Sequence, residues 1–286
     1  MPLKIQPQLP ALGAEISGVD LSVDLDSATF AEIKQAFVDH SVIAFRDQTL
    51  TPAQHIAFSR RFGKLQVHVF KDHLLEEYPE IYSLSNIVEG GKPKGRANAG
   101  QYWHSDLTYE KCPSLGSVMF AHEVPEVGGD TMFSSMAFAY ETLSETMKSM
   151  LDGLTAVHHF AHAFGSWNKT SPKVAQEVLD VRPPVEHPVI RIHPESGRKC
   201  LFVNPGFTVG IKGMNDEENE ALLGFLYRHA TRPEFVYRHK WRKGDVVIWD
   251  NRALMHCGIS DYDESQPRLM HRTTIEDPVG VMQATH

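Results

Sequence analysis

The sequence predicts a mainly β fold with flanking helices, arranged as a double-sheet jelly roll, and three observations predict it. Short runs rich in β-branched, aromatic and aliphatic residues recur at 42–45, 118–121, 131–134, 189–193, 201–203, 246–249 and 272–275. Gly, Pro, Asn and Asp punctuate these runs, as turns require. The strict strand–helix alternation of a parallel sheet is missing, which favours packed antiparallel sheets with helices set beside them.

The helices have readable ends. Asp26 and Ser27 are N-cap candidates for Phe30, Ile33 and Phe37 at helical spacing, giving a helix over about 27–39. Thr51 followed by Pro52 opens a second helix that Gly63 closes. Ser144 opens a third that runs to Gly153. Asn215 precedes Asp216, Glu217 and Glu218, acidic residues that favour a helix N-terminus, and Leu222, Leu223 and Leu226 form the stripe to be buried.

With 286 residues, no internal repeat and no linker-like run, one domain spanning 1–286 is expected, since all-β units often reach this size. Hydrophobic residues at 42% are enough for a substantial core. The formal charge of −8 is spread along the chain without a basic stripe, so nucleic acid is not an expected partner. No apolar run is long enough to cross a bilayer, and the N-terminus lacks an apolar core with a cleavage site; a soluble, cytoplasmic protein is expected. Three scattered cysteines, Cys112, Cys200 and Cys257, argue against a disulfide framework and fit a reducing compartment.

The chemistry concentrates in Trp103-His104-Ser105-Asp106. On extended chain, side chains two apart share a face, so His104 and Asp106 can meet one ion while Ser105 points away. A distant histidine, with His256 the leading candidate, would complete a two-His, one-carboxylate triad suited to non-haem Fe(II). Three protein ligands on one face of an octahedral ion leave two sites for a bidentate 2-oxoacid and one for O2. An isolated His-x-Asp is weak among 16 histidines, and surface or core histidines are the bland alternative.

The arginines downstream strengthen it. After His256 comes a strand, a polar loop and a returning strand, in which Arg268 and Arg272 are four residues apart on one face. Their Cα atoms would stand about 13 Å apart, enough to serve two anions at two depths of one cavity. A guanidinium matches the distal carboxylate of 2-oxoglutarate bidentately. The competing reading pairs these arginines with Asp261, Asp263 or Glu264 at the surface, where such pairs contribute little.

Several further segments occur in one order: Gly13-Ala14-Glu15-Ile16-Ser17-Gly18-Val19-Asp20-Leu21, Gly128-Gly129-Asp130-Thr131, His187-Pro188-Val189-Ile190-Arg191, Leu201-Phe202-Val203-Asn204, Trp249-Asp250-Asn251-Arg252 and Met270-His271-Arg272. Together with the triad segment, over nearly the whole chain, they resemble the taurine dioxygenase family of Fe(II)/2-oxoglutarate enzymes, which includes 2,4-dichlorophenoxyacetate dioxygenases. The resemblance implies a double-stranded β-helix, with His104, Asp106 and His256 as iron ligands and Arg268 and Thr131 as contacts of 2-oxoglutarate. It implies that His68, Arg272, the backbone amide of Leu107 and Phe207 contact a small anionic substrate. A homo-oligomer, dimer or tetramer, is also implied.

One departure bears on the substrate. The family asparagine that helps recognise the taurine amine is replaced around Gly100, in Asn98-Ala99-Gly100-Gln101-Tyr102. The first expectation is taurine or a related alkyl sulfonate with release of sulfite; an alkyl sulfate or an (aryloxy)alkanoate carboxylate is the alternative. A ligand-binding jelly roll without catalysis, and a hydrolase using the triad with another ion, are the rival classes. His158 and His162 have zinc-compatible spacing on a helix but no glutamate between them, and His159 or Phe160 is a candidate pocket residue. Cys257 beside His256 reads as a small buried residue rather than a catalytic thiol.

Overall fold

The computed structural model describes residues 3–68, 71–164, 182–280 and 282–283. Its largest sheet has eight strands, ordered Lys4–Pro7, Ala14–Ser17, Val42–Phe45, Val246–Asp250, Ser114–Glu123, Leu269–Glu276 and Leu65–Gln66, with Tyr82–Ser85 also paired to Leu269–Glu276. The pairs are antiparallel except Ala14–Ser17 with Val42–Phe45.

Period-two alternation sorts this sheet's side chains into two cores. Ile43, Phe45, Val118, Phe120, Val246 and Ile248 face Ile33 and Phe37 of the helix Ser27–His40 and Ile56 and Phe58 of the helix Pro52–Arg60. Their neighbours Val42, Ala44, Met119, Ala121, Val247 and Trp249 turn the other way, onto Phe133 and Leu254. Those two belong to a second sheet, in which Thr131–Ser135 lies between Val236–His239 and Leu254–Gly258. Strands buried on both faces explain the near-continuous apolar runs at 42–45 and 246–249. Burying one such side chain stabilises the fold by about 1.5–3 kcal/mol, so the face opposite the helices is held as firmly as the face beneath them.

The four expected helices are present with their expected caps. The Asp26 carboxylate accepts from the Ala28 and Thr29 amides, Thr51 and Gln54 form a capping box, Ser144 caps Glu145–Leu151, and Asn215 with Glu218 caps Asp216–Ala230. The second helix stops at Arg60, short of Gly63. A further helix, Met136–Glu141, was not expected: it follows directly on the strand Thr131–Ser135, capped by Ser135, and its six residues are too few for a helical period. The run at 201–203 is shifted, because pairing to Ile190–Ile192 ends the strand Lys199–Leu201 before Phe202. None of the described helices is long and apolar enough to cross a membrane.

Candidate active site

The edge of the second sheet builds the triad. His104 and His256 exchange backbone hydrogen bonds, His104 N to His256 O at 2.9 Å and His256 N to His104 O at 2.7 Å. This isolated antiparallel bridge brings two residues 152 positions apart into register, with ring centroids 4.2 Å apart. Ser105 turns away as expected and donates to the Leu254 carbonyl. The chain then turns, and Leu107 takes a left-handed φ of 61°, costly for a branched side chain, which gives the amide beside Asp106 a direction that ordinary extended chain lacks.

His104 Nε2 lies 3.6 Å from Asp106 Oδ1 and His256 Nε2 lies 3.9 Å from Oδ2. The three ligand atoms are buried and fall within 4.8 Å of one another, a spread one ion can bridge. The donor set suits the ion. His104 Nδ1 must donate to the Tyr102 carbonyl at 2.7 Å, because a carbonyl only accepts, so in the neutral ring Nε2 is the nitrogen offered to a metal. The His256 ring packs against Trp249 and Phe133. Burial, reinforced by His104, holds the His256 pKa well below its usual value, so the ring is neutral. Burial alone would raise the Asp106 carboxyl, but Arg272 and the two histidines outweigh it and hold the group well below the usual carboxylate range. The His256 ring and the Asp106 carboxyl are thus in the protonation states that coordination needs.

Around them stand residues the sequence reading left without a role. Ser117 Oγ donates to Asp106 Oδ2 at 3.0 Å, and Asn251, fixed by Trp249 Nε1 and Ser114, accepts from the Asp106 amide. Ser117 could have been noticed as a hydroxyl within the largely apolar run 115–121 of a buried strand stretch, since buried hydroxyls need partners.

One cavity joins every residue expected in the site: His68, Thr131, Leu107, Phe207, Arg268 and Arg272 line it with the triad. Among these lining residues, Arg268 donates from Nη2 to the Gly129 carbonyl at 3.4 Å. Among the described residues no carboxylate lies within 4.0 Å of its guanidinium; Asp261 is engaged instead by Arg238 and the Gly129 amide. Gly129, at φ 69°, gives Arg268 room, for a Cβ there would stand 3.4 Å from Nε and 3.0 Å from Pro125. Thr131 Oγ1 accepts from Trp241 Nε1 at 2.9 Å, so its own hydroxyl proton remains to be donated. Trp241 was not legible as a site residue, because only pairing of distant strands brings it to Thr131.

Arg272 stands beside the triad, Nη1 3.3 Å from Asp106 Oδ1. His68 stacks on Tyr82 at 4.1 Å, and burial first, then Arg272, lowers its pKa to about 3, so it is neutral. Phe207, Tyr109 and Phe160 form an aromatic wall beside His104. Of the two candidates at 159 and 160, Phe160 lines the cavity. His158 ends the strand Thr155–His158 and meets Thr108 Oγ1, while His162 sits on a separate 3-10 turn, so the two do not share a helix. Cys257 is buried and its thiol is pushed up to about 11, as expected of an inert cysteine.

Gly100 approaches the site from a loop at φ 71°, and a Cβ on it would meet His104 Cε1 at 3.0 Å. Gly100→Ala is therefore expected to displace the imidazole and to lower both iron content and turnover by about tenfold or more, checked by elemental analysis against kcat.

Two histidines and one carboxylate placed so that they could hold one metal ion, set in a strand-rich fold beside two arginines, fit a class of metal-dependent oxygenase scaffold. The model of the taurine catabolism dioxygenase TauD, TfdA family matches residues 4–274. The chain is 36% identical over 290 aligned positions to an α-ketoglutarate-dependent 2,4-dichlorophenoxyacetate dioxygenase of Cupriavidus pinatubonensis, covering 98% of this chain and 100% of that one. It is 35% identical to an α-ketoglutarate-dependent sulfate ester dioxygenase of Pseudomonas putida, covering 98% and 92%. A crystal structure of a taurine dioxygenase from Burkholderia xenovorans superposes with a TM-score of 0.81 at 35% identity, covering 99% of this chain and 95% of that one. The chain belongs to the TauD, TfdA family, and it is an Fe(II)- and 2-oxoglutarate-dependent dioxygenase.

Proposed function

We propose that the chain is a single domain, 1–286, with the double-stranded β-helix (jelly-roll) topology, and that it hydroxylates a C–H bond of a small organic anion. His104, Asp106 and His256 hold Fe(II), which supplies O2 activation coupled to decarboxylation of 2-oxoglutarate. Arg268 neutralises the distal carboxylate of the cosubstrate, and Thr131, oriented by Trp241, donates to it. Arg272, neutral His68 and the Leu107 amide receive the anionic end of the prime substrate, and Phe207 covers its carbon skeleton. The observation that carries this reading is the pair of guanidiniums lining one cavity, Arg272 3.3 Å from the Asp106 carboxylate and Arg268 without a carboxylate partner among the described residues.

The balanced reaction consumes O2 and 2-oxoglutarate and yields the alcohol, succinate and CO2. Where the oxidised carbon bears a sulfonate, the product collapses to an aldehyde and sulfite. Taurine or another alkyl sulfonate is the first substrate class. Alkyl sulfates and (aryloxy)alkanoates are the second, in keeping with what the 2,4-dichlorophenoxyacetate and sulfate ester relatives act on. Oxygen uptake and succinate formation across a panel of sulfonates, sulfates and carboxylates test the reading; anaerobic hydrolysis, or metal binding without 2-oxoglutarate turnover, would replace it. Arg272→Ala is expected to raise the KM for the prime substrate by about 10–100-fold, the worth of one charge-assisted hydrogen bond, and to move the KM for 2-oxoglutarate far less. Equal effects on both ligands would contradict the two-anion arrangement. A cytoplasmic homo-oligomer, dimer or tetramer, completes the proposal and is checked by light scattering.

A further inference from the structure

Asp106 has two tasks in this site, and only one of them belongs to its carboxylate. The peptide that follows it carries the Leu107 amide, and Leu107 lines the cavity. Among the described residues no group accepts a hydrogen bond from that amide. Its direction is set by the turn at Leu107, whose left-handed φ of 61° a leucine keeps only when its surroundings hold it there. The hold comes from Asn251, on the far side of the triad segment.

Asn251 is buried, and its backbone amide is tied to the Leu115 carbonyl at 2.9 Å. Its Oδ1 accepts from Trp249 Nε1 at 3.0 Å and from the Asp106 amide at 3.3 Å; both partners are donors only, which settles which way the carboxamide is turned. Nδ2 then donates to Ser114 Oγ at 2.8 Å, with a longer approach of 3.5 Å to Asp106 Oδ2. The Ser114 hydroxyl, having accepted, donates its own proton to the Asp106 carbonyl at 3.4 Å. The peptides here are trans, and in a trans peptide the carbonyl and the next N–H point in opposite directions. A carbonyl held toward Ser114 therefore turns the Leu107 N–H away from Ser114. One side chain thus anchors the peptide before Asp106 directly and the peptide after it through Ser114.

We propose that Asn251 is a positioning residue for the prime substrate: by fixing the peptides on both sides of Asp106 it aims the Leu107 amide at the substrate's anionic end. This rests on the functional reading above, in which that amide is one of the groups receiving the anion, and deepens it by naming what holds the amide in place. Asn251 itself touches no substrate and moves no proton. 2-Oxoglutarate, held at Arg268 and Thr131, gains nothing from the direction of the Leu107 amide, so the loss of Asn251 acts selectively on the prime substrate. An asparagine serving only the fold would lower stability and weaken both ligands alike.

The probes are taurine, propyl sulfate and phenoxyacetate, and the one that the Fe(II)- and 2-oxoglutarate-loaded wild type turns over best is carried through the variants. Turnover is measured as succinate formed, and binding by calorimetry of the same complex without oxygen. Asn251→Ala is expected to raise Kd and KM for the probe by about tenfold or more, the worth of one charge-assisted hydrogen bond, with the KM for 2-oxoglutarate kept within about threefold. Ser114→Ala cuts only the link to the Asp106 carbonyl and is expected to move the same two constants in the same direction; it decides the matter if Asn251→Ala folds poorly. The amide itself is read by magnetic resonance of the zinc-loaded enzyme with isotope in aspartate carbonyls and leucine nitrogens, which singles out Leu21, Leu25 and Leu107 as the leucines that follow an aspartate. The Leu107 signal is expected to shift when the probe binds, and to start from a different position in both variants. Unchanged probe constants in the folded variants, or a Leu107 signal indifferent to binding that calorimetry detects, would overturn the proposal. Equal rises for the probe and for 2-oxoglutarate would also overturn it and leave Asn251 a structural group. Absence of coupled turnover with all three probes and with the wider panel of sulfonates, sulfates and carboxylates would remove the functional reading instead.

Discussion

Arg268→Ala is expected to raise the KM for 2-oxoglutarate by about 10²–10³-fold, the largest ligand-specific effect of any substitution on the cavity wall. Burial lowers the pKa of this guanidinium, with Tyr262 and Asp130 opposing, so it is a cation kept largely out of water. Among the described residues its one hydrogen bond is the long contact to the Gly129 carbonyl, and no carboxylate stands within 4.0 Å. The desolvation cost is therefore offset only when an anion arrives. Removing one partner of such a buried pair costs about 3–5 kcal/mol, which is the basis of the expected factor. Arg268→Lys keeps the charge but loses the planar fork that grips both carboxylate oxygens, so it is expected to recover part of the affinity. Anaerobic titration of 2-oxoglutarate and steady-state succinate formation read the effect. A normal KM for 2-oxoglutarate in Arg268→Ala, with a raised KM for the prime substrate, would exchange the roles given to Arg268 and Arg272.

That pair was legible in the sequence as two cations close together on a returning segment, and both line the cavity, but not for the reason expected: the strand begins at Leu269, one residue after Arg268, and its register shifts between Leu269 and Met270, so the two do not share a regular strand face. The spacing of His104 and Asp106 followed local geometry, with Ser105 turned away between them. The helix caps were legible because each is written within four residues, as in Thr51 with Gln54 and Asn215 with Glu218. What the sequence withheld depends on register between strands far apart. Ser117 reaches Asp106 only because the long central strand runs beneath the triad, and Trp241 reaches Thr131 across 110 positions. The left-handed turn at Leu107 carried no signal either, since leucine is a poor choice for that conformation and is held there by its surroundings.

The second large effect concerns the metal. Asp106→Asn is nearly isosteric and keeps an oxygen for Ser117, yet it is expected to abolish stoichiometric iron and to reduce turnover by about three orders of magnitude or more. The reason lies in the local charge. Two imidazoles and one carboxylate would face the ion, and Arg272 stands 3.3 Å from that carboxylate. With the carboxylate neutralised, a divalent cation would be asked to bind beside a guanidinium with no anionic group between them, in a buried site where water screens little. Elemental analysis of the purified variant reads the iron directly. A thermal melt of the metal-free protein separates loss of ligand from loss of fold, because Ser117, Asn251 and the His104–His256 backbone bridge do not depend on the charge. A variant that melts near the wild type but binds no iron is the expected result. One that retains a full equivalent of tightly held iron would mean that Asp106 serves Arg272 rather than the metal, and the site would have to be rebuilt around a different carboxylate.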